Sequence, residues 1–236
     1  MKKQKIVGII GARGGSKGVP GKNLRDICGQ PLISYSVLDS IRSKYIDETY
    51  LSTDDTDIAN EGIKYGAKVP FIRPSEFATD TATDKDWITH FLKWFHNEYE
   101  YFPEYLVLLR PTTPIRDVEL IDKAIETIIA NPDATSLKSV HDFPESPEKW
   151  YKSNGKFLVP LIGNDFDVCN APRQSLDKIQ KPNGYVDIIK FNTILLHKDL
   201  WGKKILAFTT PYSVEVDIEE DLTLVKELMR IRIDRS

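Results

Sequence analysis

Apolar positions along this chain change their period repeatedly, and each change marks an element. Residues 5–10 form a near-continuous β-branched run, Lys5-Ile6-Val7-Gly8-Ile9-Ile10, which predicts a strand covered on both faces in a parallel sheet. After a glycine-rich stretch, Leu32, Tyr35, Leu38 and Ile41 recur at helical spacing, predicting a helix over 32–41. The alternation then repeats: a strand at 48–52, a helix at 57–65 and a strand at 68–72. Between 84 and 99, Trp87, Ile88, Phe91, Leu92, Trp94, Phe95 and Tyr99 mark an amphipathic helix whose aromatics read as core, with Asp84 and Asp86 at its positive end. Residues 105–109 are the most apolar strand. A helix starting at Asp117 carries the stripe Val118, Ile121, Ile125 and Ile128, and 134–140 returns as a strand.

Strands and helices in this order predict an α/β fold: a Rossmann-like, doubly wound, mostly parallel sheet with right-handed crossovers. Ligands of such sheets bind at the carboxyl ends of the strands. The period breaks over 141–181, where prolines, charges and short apolar pieces replace it. This segment is an inserted lobe: a lid, a second small lobe or a segment traded with a partner subunit. Strands resume at 185–190, 204–209 and 212–218, and a helix over 221–233 closes the chain. The whole, residues 1–236, reads as one domain of ordinary size.

Charge narrows the function classes. Lys and Arg total 32 against 35 Asp and Glu, a net charge of -3, so no basic field exists to hold nucleic acid, and an anionic ligand must meet a local cluster of cations. The basic and then apolar start, MKKQKIVGII, is too short to span a membrane and lacks a cleavage site. Two cysteines, Cys28 and Cys169, are too few and too far apart for a disulfide framework or a zinc site. A reducing cytoplasm fits.

The strongest local signal is the loop Gly11-Ala12-Arg13-Gly14-Gly15-Ser16-Lys17-Gly18-Val19-Pro20-Gly21-Lys22-Asn23, directly after the first strand. Its glycines let backbone N–H groups approach a polyphosphate closely, and Arg13, Lys17 and Lys22 bring three cations. The Walker pattern fails, because Ser16 stands where it requires Gly and Asn23 where it requires Ser or Thr. GxGxxG fails as well, since no glycines here have that spacing.

GARGGSKGVPGKN instead resembles the signature of the cytidylyltransferases that make CMP-activated sialic acids and related sugar acids. Further resemblances follow in order: Leu51-Ser52-Thr53-Asp54, the stretch from Arg73-Pro74 through Ala78, Asp80 and Thr81, residues 109–116 (LRPTTPIR), Pro172-Arg173-Gln174, Asn183-Gly184, and Val216-Asp217-Ile218. The resemblance implies that Arg13 and Lys22, helped by Lys17, hold the triphosphate and balance charge at the α-phosphate and the leaving pyrophosphate. Backbone groups of the loop, Ala12 among them, would form the pyrimidine pocket, and Asn23 would reach base or ribose; its plainer role is capping the turn before Leu24. Arg73 would contact nucleotide, or be a surface residue at a strand end. Arg110 departs from the pattern. The sialic acid enzymes usually place Gln there to help read the pyrimidine, and an arginine offers only donors, suiting O2 of cytosine or the acceptors of guanine.

In the inserted lobe, Arg173 and Gln174 would bind the acceptor, since a guanidinium fork suits the carboxylate of a 2-keto sugar acid; Lys149 and Lys138 are weaker candidates. At the far end, Glu215 and Asp217 alternate along the predicted strand 212–218 and so share a face, which suits Mg²⁺. The implied enzyme joins CMP from CTP to the acceptor's anomeric hydroxyl, with Mg²⁺ as cofactor and the lobe at a homodimer interface. Two other readings stay open: a sugar-1-phosphate nucleotidyltransferase using another nucleotide, and a non-catalytic nucleotide-binding protein in which Asp54 would hold a ribose.

Overall fold

The computed structural model describes residues 5–234; the ends of the predicted 1–236 domain, residues 1–4 and 235–236, lie outside the described residues. Its elements run β1 (Ile6–Gly11), β2 (Asp26–Ile27), β3 (Gln30–Pro31), α1 (Leu32–Arg42), β4 (Glu48–Ser52), α2 (Thr56–Lys64), α3 (Asp84–Tyr99), β5 (Tyr105–Leu108), α4 (Val118–Ala130) and β6 (Ser136–Phe143). Then come β7 (Tyr151–Asn154), β8 (Phe157–Pro160), α5 (Phe166–Cys169), β9 (Ile179–Lys190), α6 (Phe191–His197), β10 (Ile205–Thr209) and α7 (Glu219–Ile233).

Six strands form the central sheet in the order β10-β6-β9-β5-β1-β4. β1 pairs in parallel with β4 and β5, and β10 with β6, as the βα alternation predicts. β9 alone is antiparallel to its neighbours. The reason lies in the lobe: β6 runs out of the sheet to Phe143 and the chain returns directly along it, pairing Phe143 with Ile179 and His141 with Lys181. The predicted lobe 141–181 is therefore shorter by its two ends, which belong to the sheet. Between them stands the β7–β8 hairpin.

Side chains of β1 alternate between two cores. Ile6 and Ile10 join Ile33 and Val37 of α1 and Ile121 and Ile125 of α4; Val7 and Ile9 join Trp87, Ile88 and Phe91 of α3. Burial on both faces is what the continuous apolar run requires. A third cluster matters more for function. Val19 of the glycine loop packs with Val214 and Val216 and with Leu222, Val225 and Met229 of α7, which ties the first loop to the last segment of the chain.

Two predicted strands are absent as strands. Residues 68–72 make only isolated bridges, Lys68 to Tyr50 and Ile72 to Thr53, because Pro70 between them has no N–H for a ladder. Residues 212–218 run extended outside every sheet. This strap crosses the strand ends with no neighbouring strand, and Val216 N–H donates to the Thr112 carbonyl at 2.7 Å.

Candidate active site

The strap, the glycine loop and the segment after β5 enclose a cavity of about 310 Å³. Ala12, Arg13, Lys17, Lys22 and Asn23 line it, together with Thr112 and Asp217. It lies at the carboxyl ends of β1 and β5, where the topology predicts a ligand. Five of the residues predicted for the nucleotide thus share one wall.

Neighbours fix each loop residue. Gly14 N–H donates to Asp54 Oδ1 at 3.0 Å, so the acidic side chain after β4 shapes the loop rather than holding a ribose. Asn23, almost fully buried, donates from Nδ2 to the Arg13 carbonyl at 3.1 Å. Its role in the loop is structural as well as cavity-lining. Arg13 pairs with Asp80 Oδ1 at 2.9 Å, and Lys17 binds the other oxygen of the same carboxylate. The Lys17 ammonium, with the Arg13 guanidinium, holds the Asp80 carboxyl below the usual carboxylate range. Asp80 was legible only as part of a motif; its work is to hold two loop cations side by side.

Lys22 reaches the other way. Its ammonium donates to the Val216 carbonyl at 2.6 Å and lies 3.4 Å from Asp217 Oδ1. Gly18 presses on the same strap, and a Cβ there would stand 2.1 Å from the Asp217 carbonyl oxygen. Loop and strap approach too closely for any side chain at that position.

Three residues predicted for the nucleotide or the metal lie elsewhere. Arg73 is buried under the end of β4, donating from Nε to Ser52 Oγ at 3.0 Å and from Nη2 to the Ser52 carbonyl, with its guanidinium over the Trp87 ring. Burial pulls its pKa down to about 10. It braces β4 and does not line the cavity. Arg110 is also outside it, because Asp84 Oδ2 at 2.7 Å and Asp187 Oδ2 at 3.4 Å hold its Nη2. Burial works against its charge, but Asp84 and Asp187 outweigh that and raise its pKa. The guanidinium is held by two carboxylates and does not line the cavity of the glycine loop. Glu215 leaves the pairing with Asp217 that a strand would impose: its Oε1 faces Gly184, and only Asp217 lines the cavity.

Arg173 and Gln174 line a separate cavity of about 450 Å³ at the root of the lobe, with Phe143 and Ser146. Lys149 ends the 3-10 turn Pro147–Lys149 and lines neither cavity. Lys138 stands 3.6 Å from Asp187 and over the Trp201 ring.

Sequence reasoning assigned no role to Arg116, although it ends a quoted motif. Fully buried, it donates to the Tyr185 carbonyl at 2.6 Å, to Ser36 Oγ at 3.1 Å and to the Arg110 carbonyl. It thereby fixes the turn from Arg110 to Arg116 that carries Thr112 into the cavity wall. Burial lowers its pKa to about 10, and Asp39 at 4.0 Å partly offsets that.

Set against known proteins, residues 7–162 match the sequence profile of a family described as Cytidylyltransferase. The chain belongs to the cytidylyltransferase family. It is 31% identical over 234 residues to the CMP-N,N'-diacetyllegionaminic acid synthase of Legionella pneumophila, covering 96% of this chain and 97% of that one. It is 36% identical over 123 residues to the pseudaminic acid cytidylyltransferase of Campylobacter jejuni, 52% of this chain and 53% of the relative. A CMP:2-keto-3-deoxy-manno-octonic acid synthetase solved with CTP has the same fold, with a TM-score of 0.71 at 18% identity over 97% of this chain and 99% of that one. In this cytidylyltransferase the matched region contains the whole glycine loop and the segment after β5; Asp217 lies beyond it.

Proposed function

We propose that this cytidylyltransferase transfers CMP from CTP to the anomeric hydroxyl of a sialic-acid-like 2-keto sugar acid. The observation that carries this reading is the cavity in which Arg13, Lys17 and Lys22 converge on one side and Asp217 on the other. The full-length likeness to an enzyme named for a legionaminic acid product supplies the acceptor class.

The acceptor hydroxyl oxygen attacks the α-phosphorus in line and gives up its proton to water, forming the new P–O bond as the bond to the β-phosphate bridging oxygen breaks and pyrophosphate leaves. Arg13 and Lys22 balance the charge that gathers on the transferred and leaving groups. Asp217 is half of a hard-cation site: a carboxylate exposed to the phosphate cavity, with its second oxygen free of Lys22. Mg²⁺ is usually held by one or two carboxylates plus phosphate oxygens and water, so a single protein carboxylate such as Asp217 would suit it. Asp217 would hold Mg²⁺, which when bound would neutralise phosphate charge.

Arg173 and Gln174 belong to the acceptor side, and the lobe that bears them is a homodimer interface in this reading. Its exposed Phe157, Leu158, Ile162 and Phe166 support that role. Cys28 and Cys169 are both free, which suits a reducing cytoplasm. Among the described residues no helix is long and apolar enough to cross a membrane. Pyrophosphate release from CTP in the presence of sugar acids tests the reading directly.

A further inference from the structure

Two of the three loop cations are paired with an anion of the protein's own. Arg13 Nη1 binds Asp80 Oδ1 at 2.9 Å, and the Lys17 ammonium binds the other oxygen of the same carboxylate. Both cations line the cavity of the glycine loop, whereas Asp80 does not. The shape of the loop does not depend on this carboxylate. Asp54 Oδ1 accepts from Gly14 N–H and Asn23 donates to the Arg13 carbonyl, so other side chains hold the loop backbone. Asp80 engages only the charged ends of two side chains. Gly15, between those two residues, faces open space, since a Cβ there would meet nothing within 4 Å; the loop tip has room to turn.

The segment that carries Asp80 can move without breaking the core. Between Arg73 and Trp87, both buried, no residue of 74–86 is buried. The segment is pinned at Phe77, whose carbonyl accepts from Arg73 Nη1 at 3.4 Å and whose ring packs 5.1 Å from that of His90. Beyond that pin, the hydrogen bonds of 78–83 stay within 75–86, and among the described residues the exceptions are those of Asp80. The Asp80 and Lys17 side chains are 46% and 78% exposed, and ion pairs so open to water hold weakly.

We propose that Asp80 is an internal competitor of the nucleotide's phosphates: it holds Arg13 and Lys17 until a triphosphate takes them, and it takes them back as pyrophosphate departs. A triphosphate brings more charge and more acceptor oxygens than one carboxylate, so it wins the exchange. Once seated, it repels the Asp80 carboxylate, and the loosely tied segment 78–83 swings away. The competition weakens every phosphate ligand of the site, which shortens the stay of pyrophosphate on the two cations. The sign separates this role from a scaffolding one. A carboxylate that merely positioned the cations would strengthen phosphate binding, whereas a competitor weakens it. The proposal rests on the transfer reaction above, which makes CTP the ligand.

The test is calorimetric titration of inorganic tripolyphosphate and of CTP, with Mg²⁺ held constant, into wild type, Asp80→Asn and Asp80→Ala. Both variants are expected to bind both ligands about three- to thirtyfold more tightly, the range set by two exposed ion pairs. Pyrophosphate should become a stronger inhibitor against CTP by a similar factor, and thermal melts should stay close to wild type. Unchanged or weaker binding of either ligand by the folded variants overturns the proposal. Unfolding of both variants would overturn it as well, by showing that the loop depends on Asp80. If wild type binds tripolyphosphate but not CTP, the cytidylyl reading fails while the competition can still be read from tripolyphosphate. If it binds neither, the cavity is no phosphate site and both fall.

Discussion

Lys22, in the first loop, donates its ammonium to the Val216 carbonyl at 2.6 Å and lies 3.4 Å from the Asp217 carboxylate, across 195 residues of chain. The contact brings a cation of the glycine loop and a carboxylate of the strap into one cavity, and the apolar cluster of Val19, Val216 and Leu222 holds the two segments in place.

Lys22→Ala should therefore lower turnover on the order of a hundredfold or more, the scale of losing one preorganised charge at a transition state. Folding should change little, because the side chain adds one exposed-edge ion pair and one hydrogen bond while the apolar cluster remains. Rates at saturating CTP and thermal melts check both halves. Near-normal turnover would remove the loop from the phosphate site.

Asp217→Asn keeps the shape of the side chain and loses its charge. The expected outcome is a Mg²⁺ requirement raised at least tenfold, or no turnover, with little change in melting temperature since the carboxylate is exposed. Full activity of wild type in excess chelator would contradict the metal role.

For Arg73 the structure shows a side chain turned toward Ser52 and the Trp87 ring. Arg73→Ala should cost about 3 kcal/mol of stability, because it removes the donor to Ser52 Oγ and to the Phe77 carbonyl and one of the two donors to the Ser52 carbonyl, and leaves space beside the Trp87 ring. The CTP KM of the folded fraction should stay within about threefold. Denaturant unfolding alongside steady-state kinetics separates the two effects.

Much of this arrangement was legible in the chain. The glycine loop after a buried strand, with three cations and no Walker or GxGxxG spacing, was enough to point to a cavity at the strand ends, and the five loop residues named from sequence, Ala12, Arg13, Lys17, Lys22 and Asn23, are among those that line it. What could not be read is which motif residues face the ligand and which face the scaffold. Arg73, Arg110 and Arg116 look alike in sequence, yet each is turned inward by partners distant in the chain: Ser52, Asp187 and Tyr185. Alternation put Glu215 beside Asp217 on a strand, but no neighbouring strand exists to enforce it. The antiparallel return of β9 was hidden because the pattern of 185–190 carries no direction, and the part of the strand that leads back from the lobe, 180–182, is polar or proline and exposed.

Asp39 gives a pH signature to the scaffold under the site. Burial raises its pKa to about 6, with Arg116 only partly offsetting this. A carboxyl that binds its proton more tightly folded than unfolded contributes stability below about pH 4 and loses it as pH rises toward 6. The loss is on the order of 3 kcal/mol. Asp39→Asn does not titrate, so the stability difference between variant and wild type should shift in the variant's favour from pH 4 to pH 6.5 and then level off. Parallel pH profiles for the two proteins would rule out a raised Asp39 pKa.

The central claim is a cytidylyl transfer, and donor choice tests it most directly. Since Arg110 is clamped outside the nucleotide cavity, its arginine character should not alter the base selected, and Arg110→Gln should keep the wild-type preference. Pyrophosphate release is to be measured with CTP, UTP, GTP and ATP against a panel of sialic, legionaminic and pseudaminic acids in the presence of Mg²⁺. CTP is expected to lead every other nucleotide by at least tenfold in kcat/KM, about 1.4 kcal/mol at the transition state. A panel in which UTP, GTP or ATP outperforms CTP with any of these acceptors, or in which no nucleotide releases pyrophosphate, would contradict it.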